Sequence, residues 1–227
     1  RLDAEGNEVP LILQQDGKWQ HQIVALIDFE DKSGACANGT VDTRTQVVGS
    51  VPAGNYSGVK FILGVPFGLN HVDSTLAPSP LNLTSLWWNW NFGYKFARID
   101  LSPATEIAQT TPDNSTAQPK QHAEVFNGFA FHLGSVGCQM DATQAPVICS
   151  LPNRSEVILS DFDPEKNVIV ADLAALLSQT NLAENHEDTA IGCMSSPADS
   201  DCAGIMQNLG LPFNDQPVRE QTFFSVK

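Results

Sequence analysis

The chain has 227 residues and a formal net charge of −14. Its length suits one large domain or two small ones, and it is long enough to bury a full hydrophobic core. So negative a surface disfavours nucleic acid and anionic membrane, and suits an exported protein or a cation site.

Residues 9–13 are predicted as a strand, followed by a hairpin-type turn at Asp16-Gly17-Lys18-Trp19. Residues 22–29 form a second predicted strand, and 30–38 a polar loop carrying Cys36. Residues 40–49 alternate and end at the turn Val51-Pro52-Ala53-Gly54, before a strand over 56–65. No apolar run is long enough to span a bilayer, and no signal peptide is visible. The start at Arg1 falls inside a strand-turn pattern, so processing or a missing upstream piece is expected.

Residues 63–100 are the stretch around which the chain is organised. They hold Trp87, Trp88 and Trp90, with His71 upstream in Asn70-His71-Val72-Asp73 and a proline-broken segment at 78–81 between them. Residues 87–100 alternate well enough to be extended. Trp88, Trp90, Phe92, Tyr94 and Phe96 share one parity, and Asn89, Asn91, Gly93 and Lys95 the other. In a strand that puts Trp88 and Trp90 on one face. The pair is a core signature, and it also suits two oxidisable rings stacked beside a ligand. An aromatic core with a surface histidine is the plainer alternative.

Residues 103–121 are rich in threonine, proline, asparagine and glutamine, and are predicted as a long exposed loop. In the strand predicted over 126–133, Phe129, Phe131 and Leu133 share one parity and His132 has the other. Strands are expected at 156–160 and 167–171, around an acidic turn at 161–164. Asp161, Asp163 and Asn167 are a candidate calcium site there, although the glycine and terminal glutamate of a helix-loop-helix site are missing. Short helices are expected near 172–177, begun by Asp172, and near 202–209. A closing strand is expected over 220–226. The fold class that follows is mainly β: a single sandwich or partly open barrel with long loops and two short helices.

Among the five histidines, His21, His71, His122, His132 and His186, no pair has the short helical spacing of a local zinc motif. Cys138 and Cys149 are close in sequence, as are Cys193 and Cys202. Both spacings suit local disulfides, although sequence does not fix connectivity, and disulfides imply an oxidising compartment. Cys36 is left over and is expected to pair with a cysteine outside this chain. Redox dithiol, nucleophile-elbow and phosphate-loop motifs are absent, so enzyme classes find little support. A soft-metal site fits better, since imidazole suits copper and zinc and methionine suits Cu(I). Met140, Met194 and Met206 are weak candidates, placed near cysteines or helices.

Several long runs carry a resemblance. They include ALIDFED ending at Asp31, GACANGT over 34–40, VPAGNYSGVKFILGVPFGLNH over 51–71 and APSPLNLTSLWWNWNFGYKFARIDL over 77–101. FHLGSVGC over 131–138, PNRSEVILSDFDP over 152–164 and GCMSSPADSDC over 192–202 follow. In their order and spacing the chain resembles the MbnP-like family of exported bacterial copper-binding proteins, and most of all its four-cysteine members.

The resemblance implies a mainly β domain over 1–227 that binds copper, as Cu(I) or Cu(II), with histidines from different strands. In related methanotroph proteins a tryptophan beside the metal is oxidised to kynurenine. A di-haem cytochrome c peroxidase or MauG-like partner is expected to make that change. His71 and His132 match the family's histidines, and Trp88 and Trp90 its tryptophan-x-tryptophan run; Trp87 ranks lower. The family also implies a leading strand and a cysteine-bearing segment upstream of Arg1. The expected function is a copper carrier of the periplasm or outer cell surface, not an enzyme, with Asp73 orienting His71. The competing readings are a structural or adhesive envelope protein with an aromatic core, and a redox substrate protein without a carrier role.

Overall fold

The strand Tyr56–Leu63 is the centre of an antiparallel three-stranded sheet, flanked by Leu2–Asp3 and Ser155–Ser160. The computed structural model describes residues 1–34, 36, 39–89, 91–102 and 128–227. Trp90, His122 and the loop expected over 103–121 lie outside the described residues. In Ser155–Ser160 the side chains alternate strictly: Ser155, Val157 and Leu159 are buried, while Glu156, Ile158 and Ser160 are exposed. A period of two is what a strand with one wet face requires.

A second antiparallel pair, Ala97–Leu101 with Phe129–Leu133, runs in unbroken register from Leu101↔Phe129 to Ala97↔Leu133. Phe129, Phe131 and Leu133 point into the core with Leu176, Ile205 and Leu209. Each buried side chain of this size contributes about 1.5–3 kcal/mol of burial free energy. The other ladders are two-stranded, and among the described residues none closes into a barrel.

Both expected helices are present, as Leu173–Leu176 and as Ala203–Asn208 preceded by a 3-10 turn at Ser200–Cys202. Asp172 caps the first by accepting from the amides of Ala174 and Ala175. The second reaches back to it, because Asn208 Nδ2 donates to the carbonyls of Ala175 and Leu176. A third helix, Phe67–Asn70, was not expected. It is a single turn, closed by the amides of Leu69 and Asn70 on the carbonyl of Pro66.

Two strand expectations are corrected. Residues 87–100 are not one extended strand. Trp87–Asn89 folds back on Gly93–Tyr94 as a hairpin, with Trp87 opposite Tyr94. Asn89 Oδ1 accepts from the amides of Asn91 and Phe92, and Gly93 takes φ +80°. What reads as the polar parity of a strand is therefore turn chemistry. Residues 22–29 likewise turn at once: Gln20–His21 pairs with Val24–Ala25 around Gln22 at φ +51°. The acidic turn at 161–164, read as a candidate calcium site, is closed by its own hydrogen bonds. Asp163 Oδ2 holds Lys166 Nζ at 2.7 Å, its Oδ1 accepts from the amide of Glu165, and Asn167 Oδ1 accepts from the amide of Asp163.

Both local disulfides are formed, Cys138–Cys149 and Cys193–Cys202. Cys36 is exposed and unpaired in this chain. No helix among the described residues is long and apolar enough to cross a membrane.

Candidate metal centre

His132 occupies the polar face of the Phe129–Leu133 strand, opposite in parity to its buried neighbours Phe131 and Leu133. Its cross-strand partner is Arg98, and Asp100 lies two residues further along the same face. His132 Nε2 meets Asp100 Oδ1 at 2.7 Å, and Arg98 grips Asp100 Oδ2 at 2.7 Å. In the neutral imidazole the carboxylate therefore takes the Nε2 hydrogen, which leaves the lone pair on Nδ1. The His132 side chain is only 12 % exposed.

The backbone around His132 is clamped from a distant part of the chain. Its amide donates to the carbonyl of Cys193, and the Cys193 amide donates to the carbonyl of Ala130. The buried Ser195 hydroxyl donates to the His132 carbonyl and accepts from the amide of Gly134. Gly192 makes this approach possible. A side chain there would meet the Ala130 carbonyl oxygen at 2.2 Å, and the backbone sits at φ +76°.

His71 follows directly after the Phe67–Asn70 turn, with its ring 4.7 Å from that of Phe67. Its Nε2 lies 3.2 Å from Asn70 Nδ2 and 3.5 Å from Cys149 Sγ. Asp73 does not orient it, contrary to expectation: Asp73 Oδ1 accepts from the amide and hydroxyl of Thr75. Asn70 takes the orienting role. The amide is 1 % exposed, and its Oδ1 accepts from the Tyr94 amide at 2.8 Å. That bond fixes which end is the donor, so Nδ2 donates to the Phe92 carbonyl and faces the His71 Nε2 lone pair.

The loops bearing the two histidines meet through Asn70 and Ser135, at 3.5 Å. Trp88 lies against the same turn: a Cβ built on Gly134 would fall 2.4 Å from Trp88 Cζ3. The hairpin holding Trp88 is anchored by Tyr94, whose hydroxyl donates to the carbonyl of Leu81. Burial, with Asp73 nearby, pushes that phenol up to about 12, so it remains a donor. Asn70, the neighbour of His71, and Trp88 thus both meet the turn after His132, while Trp90 falls outside the described residues. His21, beside Gln22 Nε2, and the exposed His186 belong to other parts of the fold.

Sequence reasoning missed Asp100, Asn70 and Ser195. Asp100 was findable, since a strand pairing of ARIDL with FAFHL puts it diagonal to His132. The other two depend on contacts across 65 and 63 residues. A further grouping was also missed: the donor atoms of His71, Cys138 and Cys149 all lie within 4.8 Å of one another, with both sulfurs in the disulfide.

The Asp100 pair has a consequence in acid. Burial pushes its carboxyl up, but the bonds from His132 and Arg98 outweigh this and hold it down at about 2. A depressed carboxyl stabilises the fold fully above the ordinary carboxylate range and loses that contribution as pH falls through its folded value. Denaturant midpoints of the metal-free protein should therefore fall between about pH 4 and pH 2. In Asp100→Asn the part of that slope owed to this group should vanish; an unchanged slope would show that the pair adds nothing.

Comparison with known proteins gives one family and one fold. A family model described as MbnP matches residues 4–195. Among solved structures, MbnP from Methylosinus trichosporium is similar, at 29 % identity and a TM-score of 0.77. The match covers 99 % of this chain and 82 % of that one. No curated protein matches.

Proposed function

This chain belongs to the MbnP family, and from that premise we propose that it is a copper-binding protein of the bacterial envelope, a carrier rather than an enzyme. The observation that supports the reading is that the segments next to two differently held histidines meet, Asn70 against Ser135. His132 is turned by Asp100 so that Nδ1 keeps its lone pair, and His71 Nε2, which accepts from Asn70 Nδ2 at 3.2 Å, would exchange that contact for the metal. Neutral imidazole nitrogens are the donors that suit copper in either valence. The carboxylate behind His132 fixes its tautomer and ring orientation, as the second partner of a metal-bound histidine does. Two disulfides fit an oxidising compartment, and so the periplasm or outer cell surface.

On this reading Trp88 or Trp90 is the tryptophan altered, and a contact of Trp88 supports it as a candidate. Its benzo ring touches Gly134, two residues after His132. Oxidation of Trp88 or Trp90 to kynurenine by a di-haem partner would add a carbonyl and an aniline nitrogen at this turn. The intact mass of protein made with and without that partner decides whether the change occurs.

The central test is Cu(I) affinity by chelator competition. His71→Ala and His132→Ala should each weaken binding at least about 10-fold, or roughly 1.4 kcal/mol. Affinity should fall as pH drops through the imidazole range, since only the neutral ring binds. Full affinity in either variant would make that residue structural and remove it from the site.

A further inference from the structure

The strands Val136–Met140 and Pro146–Leu151 form a hairpin of their own, apart from the central sheet. Cys138 and Cys149 are direct partners across it and are joined as a disulfide. Side chains directly opposed in an antiparallel pair share one face. On that face His71 Nε2 comes within 3.5 Å of Cys149 Sγ. Disulfide sulfurs are uncharged and poor metal donors, whereas thiolates are the softest ligands a protein offers. From these contacts we infer that reduction of Cys138–Cys149 converts this corner into a second metal site. Two thiolates and the His71 imidazole, its Nε2 exchanging the Asn70 contact for the metal, would there bind a soft cation such as Cu(I) or Cd(II).

The hairpin is held by more than its disulfide. Its ladder pairs Val136 with Leu151 and Gln139 with Ile148. Its turn is closed by Asp141, whose Oδ1 accepts from the amides of Thr143 and Ala145 while its own amide donates to the Ala145 carbonyl. Opening the S–S bond therefore leaves the two thiols facing each other next to His71. Access is also unequal between the two disulfides. Cys138 is half-buried and its hairpin carries exposed Val147 and Ile148, whereas Cys193 and Cys202 are both 0 % exposed.

The chemistry balances with a dithiol as reductant. One thiolate of the dithiol attacks Cys138 Sγ, the S–S bond breaks, and Cys149 leaves as the thiolate. The second thiol of the reductant then resolves the mixed disulfide. The reductant ends as its own disulfide, oxidised by two electrons, and its two protons end on Cys138 and Cys149. Metal binding then exchanges those protons for the cation. His71 also belongs to the pair proposed to hold copper. On that proposed function the redox state of the hairpin would decide which donors the ring joins. The thiolate site itself stands without that reading.

Cd(II) is the probe, in a Cys36→Ser background. A mild dithiol opens Cys138–Cys149, verified by alkylation and peptide mapping. The reduced protein should bind one equivalent with thiolate-to-metal charge-transfer absorption, and the oxidised protein should show none. His71→Ala should weaken this binding at least about 10-fold, while His132→Ala should leave the absorption in place. That second result separates the site from the two-histidine copper site. Cys138→Ser in the same background needs no reductant: its freed Cys149 thiol should bind Cd(II) more weakly, with less absorption, and lose binding with His71→Ala. Absence of the absorption in the reduced protein overturns the inference. So does indifference to His71→Ala in both the reduced protein and the Cys138→Ser variant.

Discussion

Replacing Cys193 and Cys202 together by alanine is expected to cost about 3–5 kcal/mol of stability and, on the proposed function, to weaken copper binding along with it. The bridge closes a short loop, with a sequence separation of 9, so chain entropy alone accounts for about 3 kcal/mol. The rest comes from position. Both sulfurs are fully buried within the main core cluster, so their loss leaves a void among Phe131, Ile205 and their neighbours. The same bridge fastens residues 193–195 to the start of the helix Ala203–Asn208. Those residues hold the His132 strand through the Cys193 backbone and the Ser195 hydroxyl. Urea unfolding gives the first number and chelator competition the second. A double variant with wild-type stability would show that the clamp holds without its bridge.

Asn70→Ala should be nearly as damaging, at about 3 kcal/mol, although it removes no charge and little volume. The loss lies in what the amide leaves behind. Tyr94 is buried, and its amide would lose the Oδ1 that accepts from it. An unsatisfied buried donor costs about 1–3 kcal/mol by itself. The Phe92 carbonyl would lose its Nδ2 partner as well. Both groups lie in the hairpin that holds Trp88, so the indole should move off Gly134. Asn70→Asp should not rescue the loss. It restores the acceptor for Tyr94, but sets an oxygen against the Phe92 carbonyl and the His71 lone pair. Thermal unfolding and tryptophan fluorescence report the two effects. Either variant melting like wild type would refute the role given to Asn70.

The local features could be read directly from the residues because their causes are local. Alternation in FAFHL sets the burial of Phe131 and Leu133 and the opposite facing of His132, since a strand repeats every two residues. Asp172 ahead of LAAL announces a helix cap, and short cysteine separations announce the two bridges. The same rule failed over residues 87–100, where Asn89, Asn91 and Gly93 satisfy a strand parity and a turn equally well. A parity pattern cannot separate the two. The competing hydrogen bonds of the Asn89 side chain and the positive φ of Gly93 decide it, and they favour the turn.

The site divides along the same line. His71, His132 and Trp88 were singled out by residue type and family resemblance. What holds them was not visible, because a carboxylate two residues from a histidine says nothing about contact. Asp73 is the sequence neighbour and turns to Thr75, while Asp100, 32 residues from His132, makes the bond. Pairing register decides the Asp100 contact, and a loop-to-loop meeting at Asn70 and Ser135 decides the other. Composition and spacing settle which donors the chain owns. Only the folded sheet brings Asn70 beside Ser135, 65 residues away, and selects the nitrogen that His132 turns to Asp100, because orientation comes from a hydrogen-bond partner distant in the chain.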